Sequence, residues 1–332
     1  MKGAKVTFIV PCYNEARVLP EFYRRISAVA EDLTEYECEF IFINDGSHDN
    51  TDAILNGLAA SDSRVKVLHF ARNLGHQVAL TAGMDFAAGD IIITIDADLQ
   101  DPPEVAKEMI SRIQEGYEVV HAQRRTRAGE SRFKLFTAWL FYKLMSRLTG
   151  NQLVENSGDF RAFTRPVLTA VQGFRERNRY IRGIFSLVGF RQCIVQYDRV
   201  ARYAGSSKYS LAKMLQLAFN AVLSFSSFPI QVILILSFLM WSASLVYLAK
   251  ALVDHYVYKI TVQGWTSIII LMTFFTGIII FCLSIIGLYV GRVFEQGQRR
   301  PLYWLCDARN TTIGGANNTV KEVKLSHDIM EK

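Results

Sequence analysis

Two long runs without a charged residue, 229–249 and 265–290, constrain this chain of 332 residues more than any other feature. Each exceeds the roughly 18 apolar residues that mark a helix able to cross a bilayer. Trp241, Tyr247, Trp265 and Tyr289 add membrane-favouring aromatics, the last three near the ends of the runs. Two transmembrane helices, at about 229–250 and 265–290, are therefore expected. They also account for a hydrophobic content of 50%, high for a wholly soluble protein. Arg202, Lys208 and Lys213 precede the pair and Arg292, Arg299 and Arg300 follow it, while the connection offers little beyond Lys250 and Lys259. The positive-inside rule then places residues 1–228 and the C-terminal tail, 292–332, whose last residues from Asn310 are polar, in the cytoplasm. The apolar run after Lys5 is too short for a signal-peptide core.

Before the spans, strand and helix patterns alternate. Strands are expected at 5–10, 39–43, 65–70, 91–95 and 118–122. Helices are expected at 18–33, 77–88 and 103–115, with another capped by Asp49 or Asn50 and running to Leu58. Such alternation predicts an α/β fold with a mostly parallel sheet in three layers, whose ligands gather at the carboxyl ends of the strands. Polar groups collect there: 11–15, 44–47, 72–73, 96–98 and 123–125. No GxGxxG follows the first strand and no GxxxxGK[ST] occurs, which disfavours a dinucleotide enzyme or a P-loop NTPase. The five cysteines lack CxxC spacing, so neither a zinc site nor a disulfide framework is indicated. A net charge of +6 suits an anionic partner. Nucleic acid is the weaker choice, because the basic residues cluster beside the apolar runs.

The stretch 90–103, DIIITIDADLQDPP, reads as a buried strand delivering acid to its own carboxyl end. Side chains two apart on an extended strand share a face, so Asp96 and Asp98 can point into one crevice about 7 Å apart along the chain. Two hard oxygen ligands suit Mg²⁺ or Mn²⁺ held together with a substrate diphosphate. Two segments, 131–150 and 211–226, interleave basic and aromatic or apolar residues in the manner of helices lying in a membrane interface.

Together, Pro11-Cys-Tyr-Asn-Glu15, Asn44-Asp-Gly-Ser-x-Asp49, Asp96-Ala-Asp-Leu-Gln-Asp-Pro-Pro103, Gly158-Asp-Phe-Arg161 and Arg202-Tyr-Ala-Gly-Ser-Ser-Lys-Tyr209 resemble the inverting family-two glycosyltransferases with a GT-A fold. The two spans and Ser207-Lys208-Tyr209 are similar to the polyprenyl-phosphate members, the bacterial bactoprenol glucosyl transferases in particular, with dolichol-phosphate mannose synthase as a relation. The resemblance implies that Pro11, Tyr13, Glu15 and Asp45 hold the nucleoside. It also implies that Asp96 and Asp98 carry the metal, with Gln100 beside them and with Arg124 and Arg161 near the donor.

By the same resemblance the substrates are a nucleotide sugar, UDP-glucose first among them, and undecaprenyl phosphate, at the bacterial inner membrane and in the service of cell-surface glycan (O-antigen) modification. Mannose, galactose and an aminoarabinose derivative stay open as the sugar, and a catalytically silent scaffold stays open as a different class. Arg202, Ser207 and Lys208 are expected to meet the acceptor phosphate. A phosphate monoester with a second pKa near 6 is largely ionised at neutral pH and needs no general base. Asp159 is accordingly read as orienting donor or acceptor, with a general-base role as the alternative. Asp98, Asp159, Arg202 and Lys208 form the expected catalytic set. His76, alone in its loop, is left out as a surface or capping residue. Processive polysaccharide synthases carry Gln-x-x-Arg-Trp before a channel; the nearest match here, 296–300, lacks the tryptophan and follows the last span, so a single transfer is expected. Association into dimers or tetramers is a further expectation, since two spans offer little intramembrane surface.

Overall fold

The computed structural model describes residues 3–125, 157–177, 179–198, 228–258 and 264–311. They fall into two units. The first is built on one eight-stranded sheet, and the second holds two long helices.

The sheet follows from the apolar runs. Strands β1 (Lys5–Cys12), β2 (Glu37–Asn44), β3 (Val65–Phe70) and β4 (Ile91–Thr94) are parallel neighbours in the order β4-β1-β2-β3. Both faces are covered, so these strands read as nearly unbroken apolar stretches. Helices α1 (Leu19–Asp32), α2 (Thr51–Ser61) and α4 (Val105–Gln114) cover one face. The other is covered by α3 (His76–Phe86), α5 (Arg165–Gln172) and α6 (Ile181–Leu187). Helix α3 lies close on the sheet: a Cβ at Gly83 would come within 2.2 Å of Ile9 Cγ2, so only glycine fits without displacement.

The expected strands and helices of the first third are all present, with ends shifted by two residues or fewer, apart from the end of α2. Three strands were not legible. β5 (Val119–Arg124) is separated from β4 by β6 (Ser157–Thr164), which runs antiparallel to both, and β7 (Gln192–Tyr197) lies parallel to β5 at the edge. At the opposite edge β8 (Leu305–Arg309) pairs antiparallel with β3. Tyr303 stacks on Phe70 at 5.6 Å and donates to Asp85 at 3.0 Å, and the Asn310 amide donates to the carbonyls of Ala59 and Val65. Within the expected tail, 292–332, helix continues to Gly297, and the chain then adds a strand to the sheet.

The second unit contains α7 (Phe228–Tyr256) and α8 (Trp265–Gly297). Within α8, Phe274–Gly297 holds an 18-residue stretch with a mean hydropathy of 2.3 and is, among the described residues, the one helix long and apolar enough to cross a membrane. The expectation of two spans is met in part. The expected interfacial helices at 131–150 and 211–226, and the tail beyond 311, lie outside the described residues.

Candidate active site

The loops leaving β1 and β2 are laced together. Asn14, in the left-handed region at φ 56°, accepts from the His48 N–H at 2.8 Å and donates its own N–H to Ser47 Oγ at 3.0 Å. The Glu15 N–H donates to Thr51 Oγ1 at 2.9 Å, and the Tyr13 ring meets His48 edge-on at 6.5 Å. Pro11 lies beyond the last β1–β4 pair, Ile9–Thr94, and is still paired with Ile43 of β2. Gly46, at φ +64°, sits where this loop crosses the one after β3, and a Cβ there would lie 2.4 Å from the Arg72 carbonyl carbon.

Asp45 is 3% exposed, and its carboxylate accepts from the Leu74 N–H at 2.7 Å, the Gly75 N–H at 3.0 Å and the Asn73 amide at 3.0 Å. Burial raises its pKa, and the two N–H groups pull it back. The residue expected to hold nucleoside therefore braces the loop that leads into α3.

The acidic turn after β4 has Asp96 and Asp98 half-exposed and Leu99, Gln100 and Asp101 buried. Leu99 takes φ 58°, an uncommon conformation for leucine, held by its burial and by a bond from the Gln100 N–H to Asp98 Oδ1 at 3.1 Å. Asp101 anchors the turn from behind. Its carboxylate accepts from the Tyr197 hydroxyl at 2.5 Å and from Arg124 at 3.4 Å, while Arg124 also donates to the Tyr197 oxygen at 3.2 Å.

Asp159, on β6, is 5% exposed and sits at the centre of a charged chain. Arg182 of α6 grips it with two bonds, Nε to Oδ1 at 2.9 Å and Nη2 to Oδ2 at 3.1 Å. His76 Nε2, at the start of α3, lies 3.1 Å from Asp159 Oδ2 and 3.5 Å from Asp96 Oδ1. Burial alone would raise the Asp159 pKa, but Arg182 and then His76 outweigh it and hold the carboxyl well below its ordinary range. Burial likewise opposes charge on His76, yet Asp96 and Asp159 bring its pKa up to about 9. His76 is thus no surface or capping residue; it bridges two acids of the site.

Arg161 shares a face of β6 with Asp159 but is 1% exposed. It donates to the Gly158 carbonyl at 3.0 Å, lies 3.6 Å from Asp159 Oδ1, and covers the Phe185 ring at 4.4 Å. Burial lowers its pKa to about 10. Its surroundings suit holding Asp159 rather than touching a donor. Arg202, Ser207 and Lys208 lie outside the described residues. Sequence reading missed His76 and Arg182, whose partners are distant in the chain.

Among the described residues no group of three or more His, Cys, Asp or Glu side chains forms a ready metal cage. Asp96 and Asp98 nevertheless fit a divalent ion shared with a diphosphate. Asp96 keeps a third of its side chain open, and desolvation, with Asp159, Asp101 and Asp98 nearby, pushes its pKa up to about 6 against the pull of His76. Such crowded acid is what a cation would relieve.

The fold, a mostly parallel α/β sheet with an acidic turn at its carboxyl edge, is of GT-A type, and residues 7–171 match the model of glycosyl transferase family 2. The chain belongs to that family and is a glycosyltransferase. It is 42% identical, over 90% of its length and 92% of the relative's, to an uncharacterized glycosyltransferase, YkcC, of Bacillus subtilis (strain 168). It is 39% identical, over 90% of its length and 97% of the relative's, to the bactoprenol glucosyl transferase of Shigella phage SfV. A looser likeness, with a TM-score of 0.49 and 19% identity over 67% of this chain and 77% of the other, is to glucosyl-3-phosphoglycerate synthase from Mycobacterium tuberculosis.

Proposed function

We propose that the chain transfers one hexose, glucose from UDP-glucose, to undecaprenyl phosphate on the cytoplasmic face of the bacterial inner membrane, giving a lipid-linked sugar for O-antigen modification. The observation that carries this reading is the state of Asp159. A carboxylate gripped by Arg182 and His76 and held far below its ordinary pKa is a poor proton acceptor. An Asp159 that does not act as a base suits a nucleophile that arrives ionised, as a phosphate monoester does. The 39% identity to the phage bactoprenol glucosyl transferase supports the same acceptor and favours glucose.

In the reaction an acceptor phosphate oxygen attacks the anomeric carbon. The bond from that carbon to the nucleoside diphosphate breaks, and the configuration inverts. Asp96 and Asp98 are the side chains that would hold Mg²⁺ or Mn²⁺, which supplies neutralisation of charge on the departing diphosphate. Tyr13 and Glu15, on the laced loops, flank the nucleoside, and Asp45 keeps the neighbouring loop in place. Gln100 steadies the acidic turn through its N–H, and Arg124 does so through Asp101. Arg161 acts through Asp159, which orients the sugar. Arg202, Ser207 and Lys208 receive the acceptor phosphate.

Two spans are supported by connectivity. Strands β3 and β8 are neighbours in one sheet, so the chain between them crosses a membrane an even number of times. With α8 as one span, α7, a helix of 29 residues, is the proposed second. Incubating purified protein with a panel of nucleotide sugars and undecaprenyl phosphate, with and without Mg²⁺ or Mn²⁺, tests the reading. A metal-dependent product with the mass of a hexosyl lipid phosphate is expected from UDP-glucose. Release of nucleoside diphosphate that does not depend on the lipid acceptor would refute it.

A further inference from the structure

Two buried polar side chains on β5 and β6 are left unfinished, and they are neighbours. His121 and Arg161 are partners in the antiparallel register, so both leave the same face of the sheet, the face that Asp159 shares two residues earlier on β6. His121 is 4% exposed and Arg161 1%. Among the described residues His121 Nδ1 and Arg161 Nη1 have no hydrogen-bond partner, and neither is bonded directly to the other. Gln192 of β7 fixes which ring nitrogen of His121 carries the proton. Its Nε2 donates to the Phe185 carbonyl at 2.9 Å, so its Oε1 is the atom 2.8 Å from His121 Nε2. That oxygen only accepts, and the imidazole must hold its proton on Nε2. Burial, and then the charge of Arg161, lowers the His121 pKa to about 4, so the ring is neutral at physiological pH and Nδ1 keeps a bare lone pair. Arg161 stays charged there, with a pKa of about 10. A buried acceptor without a donor and a buried charged donor without an acceptor thus occupy opposed positions on adjacent strands, which is costly unless they are joined.

We propose that His121, in its Nε2–H tautomer, is a positioning residue for the transfer reaction: its Nδ1 takes up the Arg161 Nη1–H through one bridging water and so fixes the guanidinium beside Asp159. One water suits the pair because it can accept from Nη1–H and donate to Nδ1 at the same time. The joint makes a continuous series. The Phe185 carbonyl sets the Gln192 amide, Gln192 sets the tautomer of His121, and His121 sets Arg161, whose Cζ lies 4.4 Å from the centre of the Phe185 ring. Arg161 in turn lies 3.6 Å from Asp159 Oδ1, the carboxylate that orients the sugar in the proposed reaction. A neutral imidazole is suited to this place, because it offers a donor and an acceptor on separate edges of one rigid ring. The inference uses the proposed reaction only for its turnover measurement; the tautomer is read without substrate.

The experiment has two parts. Solid-state NMR of the isotope-labelled full chain in lipid bilayers, with His121 assigned sequentially, reads the ring at neutral pH. A neutral ring protonated on Nε2 is expected, and an Nδ1–H tautomer or an imidazolium would overturn the assignment. Two variants then separate the two edges of the ring. His121→Asn places an acceptor oxygen where Nδ1 lies and gives up the bond to Gln192, whereas His121→Gln keeps a donor at the Nε2 position and gives up the acceptor. In steady-state transfer from UDP-glucose to undecaprenyl phosphate, His121→Gln is expected to lower kcat by about tenfold, the size of one hydrogen bond to a charged group, with both KM values and the affinity for UDP with Mn²⁺ held within about twofold. His121→Asn should keep kcat within about threefold of the wild type. Equal losses in the two variants, or an unchanged kcat in His121→Gln, would make His121 a packing residue and overturn the proposal. Should neither variant fold, the tautomer in the wild type decides. No turnover of the lipid phosphate by the wild type would overturn the proposed acceptor instead, and the tautomer would again decide the role of His121.

Discussion

The central strands carry an acid near each end, buried at one and half-exposed at the other, and the two ends are finished differently. Near the amino end, Glu39 is 3% exposed and accepts from Thr7 at 2.5 Å, Lys66 at 2.8 Å and the Ala88 N–H at 2.8 Å, with Lys5 at 3.0 Å. Burial would raise its pKa, but these partners bring it down to about 2. At the carboxyl end, Asp96 has His76 at 3.5 Å and a crowd of acids, and its pKa goes up to about 6. Glu39 is neutralised by Lys5 and Lys66, whereas Asp96 faces His76 amid other acids, the crowding that the proposed metal would relieve. Burial and charge alone do not separate a framework acid from a functional one; the fate of its oxygens does.

That contrast can be broken most sharply by Asp98→Ala and Asp96→Ala. Each is expected to lower turnover by about a thousandfold, roughly 4 kcal/mol of barrier, while thermal unfolding shows a folded protein. Retained turnover would make the carboxyl-end acids framework like Glu39.

Glu39→Gln should do the reverse, with unchanged donor and acceptor KM and a stability loss of about 2–4 kcal/mol in denaturant unfolding. Because the folded pKa of Glu39 is depressed to about 2, its contribution is fully present above the unfolded value of roughly 4.5 and is lost as the pH falls toward 2. The gap between wild type and Glu39→Gln should therefore close across that window.

Asp159→Asn leaves Arg182 and Arg161 facing a neutral amide, and a loss of about 1–3 kcal/mol in stability is expected. Measurable turnover with polyprenyl phosphate should remain. Complete loss of turnover with intact UDP binding would make Asp159 the base. The smallest effect expected is at Asp96→Asn without metal: relief of acid crowding should raise the unfolding temperature at neutral pH by about 2 °C, which differential scanning fluorimetry can read.

The parallel core was legible because its strands are apolar on both faces and its helices carry clear stripes, as in Leu19, Phe22 and Ile26 of α1. The acidic pair was legible because strand geometry alone puts Asp96 and Asp98 on one face. The second half of the sheet was less so. β6 reads SGDFRAFT, whose buried Asp159 and Arg161 conceal the apolar alternation of a strand. The partners of His76 are 20 and 83 residues away, and no local pattern announces a contact between chain-distant elements. Arg182 was hidden for the same reason. A polar histidine opening a helix directly after a Gly-containing turn was the available hint.

Strand β8 also has a consequence for how the protein is made. The edge it covers, on β3, is complete once about 70 residues have left the ribosome, but its partner emerges only after both long helices have been synthesised. Until then β3 presents an unpaired row of backbone groups, the kind of edge that invites pairing with another chain. Closure of the sheet is thus a late event in biogenesis and follows synthesis of the helices. A chain that stops short of Leu305 would carry an intact acidic turn on a domain with an open seam.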